Sequence, residues 1–209
     1  MSERTDEARE TEGRGGGDDE PQRLKRRRSS LESIKVSVLR LGHRPQRDKR
    51  VTTHVMLAAR ALGASSVYYS GERDLKIEEK VREVTEAWGG PFEIEYVESW
   101  KRTLAEWKEK GGEVIHLTMY GLPIQEVIDA IKRSPRSKLV VVGGAKVPRE
   151  VFTAADWNVA VTSQPHSEVS ALAIFLHELF EGRELEKAFE GAKVRVVPQA
   201  KGKRVIHLS

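Results

Sequence analysis

The segment Val159-Ala160-Val161-Thr162-Ser163-Gln164-Pro165-His166-Ser167-Glu168-Val169-Ser170-Ala171-Leu172-Ala173 decides how this chain folds. Val159 to Val161 reads as a short apolar strand and Thr162 to His166 as a tight polar loop. Ser167, followed by the acid Glu168, reads as the cap of a helix, so the backbone N–H groups of the loop lie at a helix N-terminus, open to a ligand. Two further junctions have the same character. Leu117-Thr118-Met119-Tyr120-Gly121-Leu122-Pro123 follows the apolar run Val114 to Leu117, and Gly143-Gly144-Ala145-Lys146-Val147-Pro148 follows Leu139 to Val142. In an open parallel sheet, ligands bind beyond the carboxyl ends of the strands, where these three loops are predicted to gather.

Working outward, the pattern alternates between strand-like and helix-like runs. Ile34 to Leu41 alternates apolar and polar residues, and Val51 to Ala61 carries helical spacing that stops at Gly63. A strand is predicted at Ser66 to Tyr69, a helix from about Asp74 to Trp88, a strand at Phe92 to Val97, and then a helix capped by Ser99. Val114 to Leu117 feeds a helix with Pro123 near its first turn, where a missing N–H does no harm. Repeated strand-helix alternation predicts an α/β domain with a mainly parallel sheet and helices on both faces. At the end, Ala192 to Val197 and Lys203 to Leu208 flank a turn containing Gly202 and read as a β-hairpin. A lone hairpin is marginal, so it is expected to pack on the body or on another subunit.

Residues 1–33 are different. They carry almost no large apolar side chains, contain Gly15-Gly16-Gly17, and switch from Asp18, Asp19 and Glu20 to a basic cluster at Arg23 and Lys25 to Arg28. Such a segment buries too little surface to offset its conformational entropy and reads as a disordered charged tail. The resulting division is a tail at 1–33, an α/β domain at 34–190 and a hairpin extension at 191–209.

With 209 residues and 38% hydrophobic content, the chain can bury one substantial core. No apolar run is long enough to cross a bilayer and no secretory signal opens the chain, so a soluble cytoplasmic protein is expected. The absence of cysteine excludes disulfides, thiolate catalysis and zinc sites built on thiolates. None of the six histidines pairs with another at i, i+4, and no metal is expected. A single asparagine, no cysteine and 33% charged residues match the composition of proteins from hot environments. The formal charge of +4 suits an anionic partner such as nucleic acid.

The stretch from Leu39 to Val55 places five cations between a strand and a helix start, and arginine forks match phosphate bidentately. His54 within it reads as an ordinary helix residue. Gly143-Gly144 permits close backbone approach to a ligand. Neither a dinucleotide fingerprint nor a P-loop surrounds that pair, which disfavours nicotinamide and nucleoside triphosphate chemistry. Ser167, His166 and Glu168 are too close in sequence to face one another as a triad, and no nucleophile elbow is present. Val169, Leu172, Ala173, Leu176 and Leu179 form a core-facing stripe.

Taken together, Arg40-Leu41-Gly42-His43-Arg44-Pro45, Arg47-Asp48-Lys49-Arg50-Val51-Thr52-Thr53-His54-Val55, His116-Leu117-Thr118-Met119-Tyr120-Gly121 and Gln164-Pro165-His166-Ser167-Glu168-Val169 resemble the archaeal tRNA ribose 2′-O-methyltransferases that modify cytidine 56 of the T-loop, members of the SPOUT class. The resemblance spans about residues 34–209. It implies an α/β domain with a C-terminal trefoil knot, S-adenosylmethionine as methyl donor, tRNA as substrate and a homodimer. By position it implies a cofactor site formed by Leu117, by Gly143, Gly144, Ala145, Lys146 and Val147, and by Val161, Thr162, Ser163, Gln164, Pro165, His166, Ser167 and Glu168. Where relatives carry Gly-Ala-Glu-Lys, this chain has Gly143-Gly144-Ala145-Lys146, so an acidic side chain is missing at Ala145. That departure favours, as an alternative, a noncatalytic RNA-binding module; a further alternative is an enzyme of the same fold acting on another RNA site. A ribose hydroxyl is a poor nucleophile and must be placed in line with the methyl group. Arg44, Arg47 and Arg50 are the candidates to orient a substrate phosphate or stabilise the developing alkoxide, and the sequence does not choose among them.

Overall fold

The computed structural model describes residues 34–144 and 146–208, so the tail expected at 1–33 and the Ala145 position lie outside the described residues. Six strands form one sheet: β1 (Val36–His43), β2 (Ser66–Gly71), β3 (Glu93–Tyr96), β4 (Glu113–Pro123), β5 (Lys138–Gly143) and β6 (Trp157–Ala160). Their order is β3-β2-β1-β5-β4-β6 and every pairing is parallel. The helices are α1 (Pro45–Ala61), α2 (Leu75–Trp88), α3 (Trp100–Glu109), α4 (Ile124–Arg133), α5 (Arg149–Ala154) and α6 (Glu168–Phe180). The two tail runs pair antiparallel as β7 (Val194–Val197) and β8 (Arg204–His207), the expected hairpin.

Alternation along the strands divides the core. Leu39 and Leu41 of β1, Val114 of β4, and Leu139 and Val141 of β5 pack in one cluster with Leu104 of α3 and Val151 of α5. The intervening residues Val38, Val140 and Val142 are fully or almost fully buried on the other side, where α1, α4 and α6 contact the strands. The alternation that predicted an α/β sheet therefore describes the molecule.

Three elements differ in extent from expectation. Helix α1 begins at Pro45 rather than Val51. Proline suits the first helical position, and Asp48 in the first turn complements the helix dipole. The charged stretch read as a connecting segment is therefore helical from Pro45 onward. Strand β4 runs on to Pro123, because Leu117 and Leu122 both pair with Val159 and the four residues between them are extruded. Gly121 permits that detour, since a Cβ there would lie 2.5 Å from the Asn158 carbonyl carbon and oxygen and the Val159 nitrogen. Strand β6 ends at Ala160, which places Val161 at the start of the following loop.

The strand order fixes where a ligand can sit. The chain moves from β1 outward to β2 and β3, then crosses back to build the β5, β4 and β6 side. Neighbours β1 and β5 therefore flank the topological switch point, and their carboxyl ends, at Leu41 to His43 and at Gly143, open a crevice.

Candidate functional site

Beyond the ends of β4, β5 and β6 lies a cavity of about 530 Å³. Its walls come from the three loops: Leu117 to Tyr120 from the detour in β4, Gly143, Gly144, Lys146 and Val147 after β5, and Val161 with Pro165 to Glu168 after β6. The loop after β6 holds its own shape. Thr162 Oγ1 accepts from the Gln164 N–H at 3.3 Å, His166 Nδ1 donates to the Gln164 carbonyl at 2.8 Å, and Ser167 Oγ caps α6 by accepting from the Val169 N–H at 3.2 Å. At Gly143 a Cβ would meet Val147 Cγ2 at 2.5 Å, so only glycine lets the loop after β5 fold back this closely.

A second cavity of about 670 Å³ opens at the ends of β1 and β2. Gly144, Lys146, Val147 and Glu168 border both cavities and form a shared wall. Arg40, near the carboxyl end of β1, borders the second cavity beside these residues. A Cβ on Gly144 would lie 3.5 Å from Glu168 Oε1 and 3.8 Å from Arg40 Nη2. The Arg40 side chain is only 2% exposed, its Nη1 donates to the Leu41 carbonyl, its Nη2 approaches Glu168 at 3.7 Å, and its Nε has no hydrogen-bond partner. Burial pulls the Arg40 guanidinium below its ordinary pKa while Glu168 and Asp48 pull it back up. It stays cationic, as guanidinium does in proteins.

The outer rim of the second cavity carries Arg44 and Arg47, both exposed and both oriented by Asp48, at 3.0 and 3.7 Å. Burial would raise the Asp48 pKa, but the hydrogen bond and charge of Arg44, with Arg40 and Arg47 nearby, hold it below its usual value. His43 also borders this cavity, fully buried. Its Nδ1 lies 2.9 Å from Thr52 Oγ1, and its Nε2 faces Asp74 Oδ2 at 3.6 Å, an ionic approach longer than a hydrogen bond. Both ring nitrogens thus look toward protein groups, and burial lowers the His43 pKa against the pull of Asp74. Tyr69, whose hydroxyl pKa burial pushes up to about 12, packs edge-on to His43 and donates to Glu78 at 2.8 Å. His43 is accordingly part of the scaffold beneath the cavity.

The three loops named from the sequence converge as expected. Leu117, Gly143, Gly144, Lys146, Val147, Val161, Pro165, His166, Ser167 and Glu168 all border the first cavity. Thr162, Ser163 and Gln164 do not border it; Thr162 and Gln164 instead brace the loop from within. Arg44 and Arg47 border the second cavity, whereas Arg50, further along α1, does not. Sequence reasoning missed Arg40, which the strand register turns toward Glu168, and His116 and Phe152, which complete the first cavity. The signal available for Arg40 was a charged residue between Leu39 and Leu41, out of step with the polar positions Lys35 and Ser37. Among the described residues, no cluster of three or more histidine or acidic side chains is arranged to hold a metal ion, and no helix is long and apolar enough to cross a membrane.

Comparison with solved structures places this architecture in a class. The chain superposes on the SpoU/TrmH tRNA modifying enzyme of A. aeolicus with a TM-score of 0.56 at 22% identity, over 79% of this chain and 85% of that one. It also superposes on an AdoMet-bound rRNA methyltransferase from Sinorhizobium meliloti, with a TM-score of 0.55 at 18% identity, over 72% and 59% of the two chains. The fold is that of the SpoU-type RNA methyltransferases. Residues 88–206 match the family model described as tRNA ribose 2'-O-methyltransferase, aTrm56. Proteins named tRNA (cytidine(56)-2'-O)-methyltransferase are 56% identical in Methanothermobacter thermautotrophicus, over 80% of this chain and 94% of that protein, and 54% identical in Thermococcus kodakarensis, over 83% and 97%. The chain belongs to this tRNA ribose 2'-O-methyltransferase family.

Proposed function

We propose that this chain transfers a methyl group from S-adenosylmethionine to the ribose 2′-hydroxyl of a tRNA nucleotide, cytidine 56 of the T-loop. The observation that carries the reading is the pair of cavities sharing the Gly144, Lys146, Val147 and Glu168 wall, one built from loop backbone and the other ringed by arginines. Two reactants that must meet in line are thereby brought into adjoining cavities that share these lining residues.

The first cavity suits the methyl donor. Its volume falls in the usual range for small-molecule sites, and Leu117, Val147, Val161 and Phe152 supply apolar surface. Backbone N–H and C=O groups of the Gly143-to-Val147 and Val161-to-Glu168 loops supply polar contacts, and the Glu168 carboxylate suits a cationic ligand. When bound, S-adenosylmethionine supplies an electrophilic methyl on a positive sulfur.

The second cavity suits the RNA. Arg44 and Arg47 are exposed, each anchored to Asp48 through Nε, and suit a phosphate at the rim, with Arg50 continuing the basic track along α1. Arg40 sits deeper, where a fixed cation stabilises the 2′ oxygen as it loses its proton. The charge of Arg40 would hold that oxygen ready for the methyl group the donor supplies, while the released proton would pass to water. Guanidinium itself cannot accept the proton at neutral pH, so Arg40 acts through its field.

The same reading takes 34–190 as the catalytic domain with a trefoil knot, 191–209 as a hairpin extension, a homodimer as the working form, and the cytoplasm, where tRNA is modified, as the location. The test is direct. Unmodified tRNA incubated with protein and S-adenosylmethionine is hydrolysed in alkali, which cannot cleave at a 2′-O-methylated nucleotide. One resistant linkage at cytidine 56 is expected. Resistance elsewhere, or methylation of a base, overturns the assignment.

A further inference from the structure

Asn158 is the single asparagine of the chain, and on β6 it pairs with His116 of β4. Its Nδ2 donates to the Phe152 carbonyl at 2.8 Å. A carbonyl can only accept, so this bond fixes which way the amide points and turns Oδ1 toward His116 Nδ1, 2.9 Å away. An amide oxygen also only accepts. The proton of the neutral imidazole therefore sits on Nδ1, and Nε2 carries the lone pair. Burial lowers the pKa of the ring, which keeps it neutral at physiological pH. Nε2 is buried and has no hydrogen-bond partner in the protein, and His116 is among the residues that border the 530 Å³ cavity. Phe152 meets the ring at 89° with centroids 4.6 Å apart and holds it in place.

Buried polar atoms are almost always matched, so an acceptor left unmatched at a cavity wall marks a place for a ligand. We propose that His116 Nε2 recognises the methyl donor by accepting a hydrogen bond from an N–H or O–H of its adenosyl or amino-acid part. The inference deepens the reading of this cavity as the S-adenosylmethionine site and rests on it. Asn158 acts through His116 as a positioning residue that selects the tautomer. This accounts for asparagine at this one position, since its amide must donate to Phe152 and accept from His116 at once.

Long-range ¹H–¹⁵N NMR of the full chain, titrated with S-adenosylhomocysteine, tests it. That compound keeps every hydrogen-bond donor of the methyl donor outside the transferred group and does not react. The expected spectrum shows His116 protonated at Nδ1 and bare at Nε2, and binding shifts Nε2 while Nδ1 stays protonated. His116→Phe is expected to weaken binding roughly tenfold by calorimetry, the loss of a hydrogen bond the ligand cannot replace. The wild-type spectrum decides the matter even if this variant folds poorly. A proton on Nε2, or an unmoved Nε2 while calorimetry shows binding, overturns the inference and leaves the cofactor reading standing. Absence of binding to the wild type overturns both.

Discussion

Replacing Arg40 with methionine separates function from stability more sharply than any other single change. The guanidinium is 2% exposed, yet its contacts are few: one backbone carbonyl, one carboxylate at 3.7 Å, and an Nε with no partner. At that separation, and with an effective dielectric of about 20, the attraction to Glu168 amounts to about 4 kcal/mol. The desolvation of a buried ion is several kcal/mol, so the two nearly cancel, and the Glu168 carboxylate left behind is 23% exposed and keeps water as a partner. Arg40→Met is therefore expected to leave the melting temperature unchanged or slightly higher. Methyl transfer should behave differently. Removing one preorganised group aimed at developing negative charge costs about 10²- to 10³-fold in kcat. The assay is single-turnover methylation of tRNA with labelled S-adenosylmethionine, alongside calorimetry for cofactor affinity and a thermal melt. A fall in kcat of that size with cofactor affinity within a few-fold is the expected outcome. A large drop in melting temperature, with activity following the folded fraction, refutes the reasoning and makes Arg40 a structural ion.

Further outcomes follow from other parts of the molecule. Gly121→Ala drives a Cβ to 2.5 Å from the Asn158 and Val159 backbone, so the detour in β4 must shift; a loss of about 1–3 kcal/mol in denaturant unfolding is expected, with cofactor affinity falling too. Glu113 is 2% exposed and holds the fully buried Lys138 ammonium, with Arg136 and Trp157 as further donors. Glu113→Ala should cost about 3–5 kcal/mol by denaturant unfolding, because it leaves a buried cation unpaired. Burial alone would raise the Glu113 pKa, but Lys138 and Trp157 outweigh it and the pKa is lowered. The group therefore adds stability fully above the ordinary carboxylate value of 4.5 and loses it as pH falls through the lower folded value, so the wild type, but not Glu113→Gln, should show this acid-dependent part of its unfolding free energy. Arg47→Glu, at an exposed rim position, should raise the KM for tRNA and flatten its salt dependence while leaving cofactor affinity and stability within about 0.5 kcal/mol.

Much of this was legible because the signals were local. Ser99 and Ser167 cap their helices by accepting from the Arg102 and Val169 N–H groups, as a serine ahead of a helical run should. Apolar runs ending in Gly143-Gly144 or in Thr162 to Glu168 marked the carboxyl ends of strands, and parallel topology brought those ends together. The start of α1 was hidden because its first turn carries Arg47, Asp48, Lys49 and Arg50 instead of periodic apolar residues. Arg40 and His116 were hidden for another reason. Their roles depend on long-range register, 128 residues apart for Arg40 and Glu168 and 42 for His116 and Asn158, which no window of sequence contains. The detour in β4 is likewise a property of its pairing with β6, where Leu117 and Leu122 compete for one partner.

The central claim is that methyl donor and ribose meet where the two cavities adjoin, beside Gly144, Lys146, Val147 and Glu168. A crystal structure of the protein with S-adenosylhomocysteine and a short T-loop RNA measures this most directly. The account predicts the cofactor in the cavity beyond β4, β5 and β6, its sulfur turned to the residues the two cavities share, and a ribose 2′ oxygen close to both that sulfur and Arg40. Cofactor density elsewhere, or a ribose held away from the sulfur and from Arg40, would contradict it.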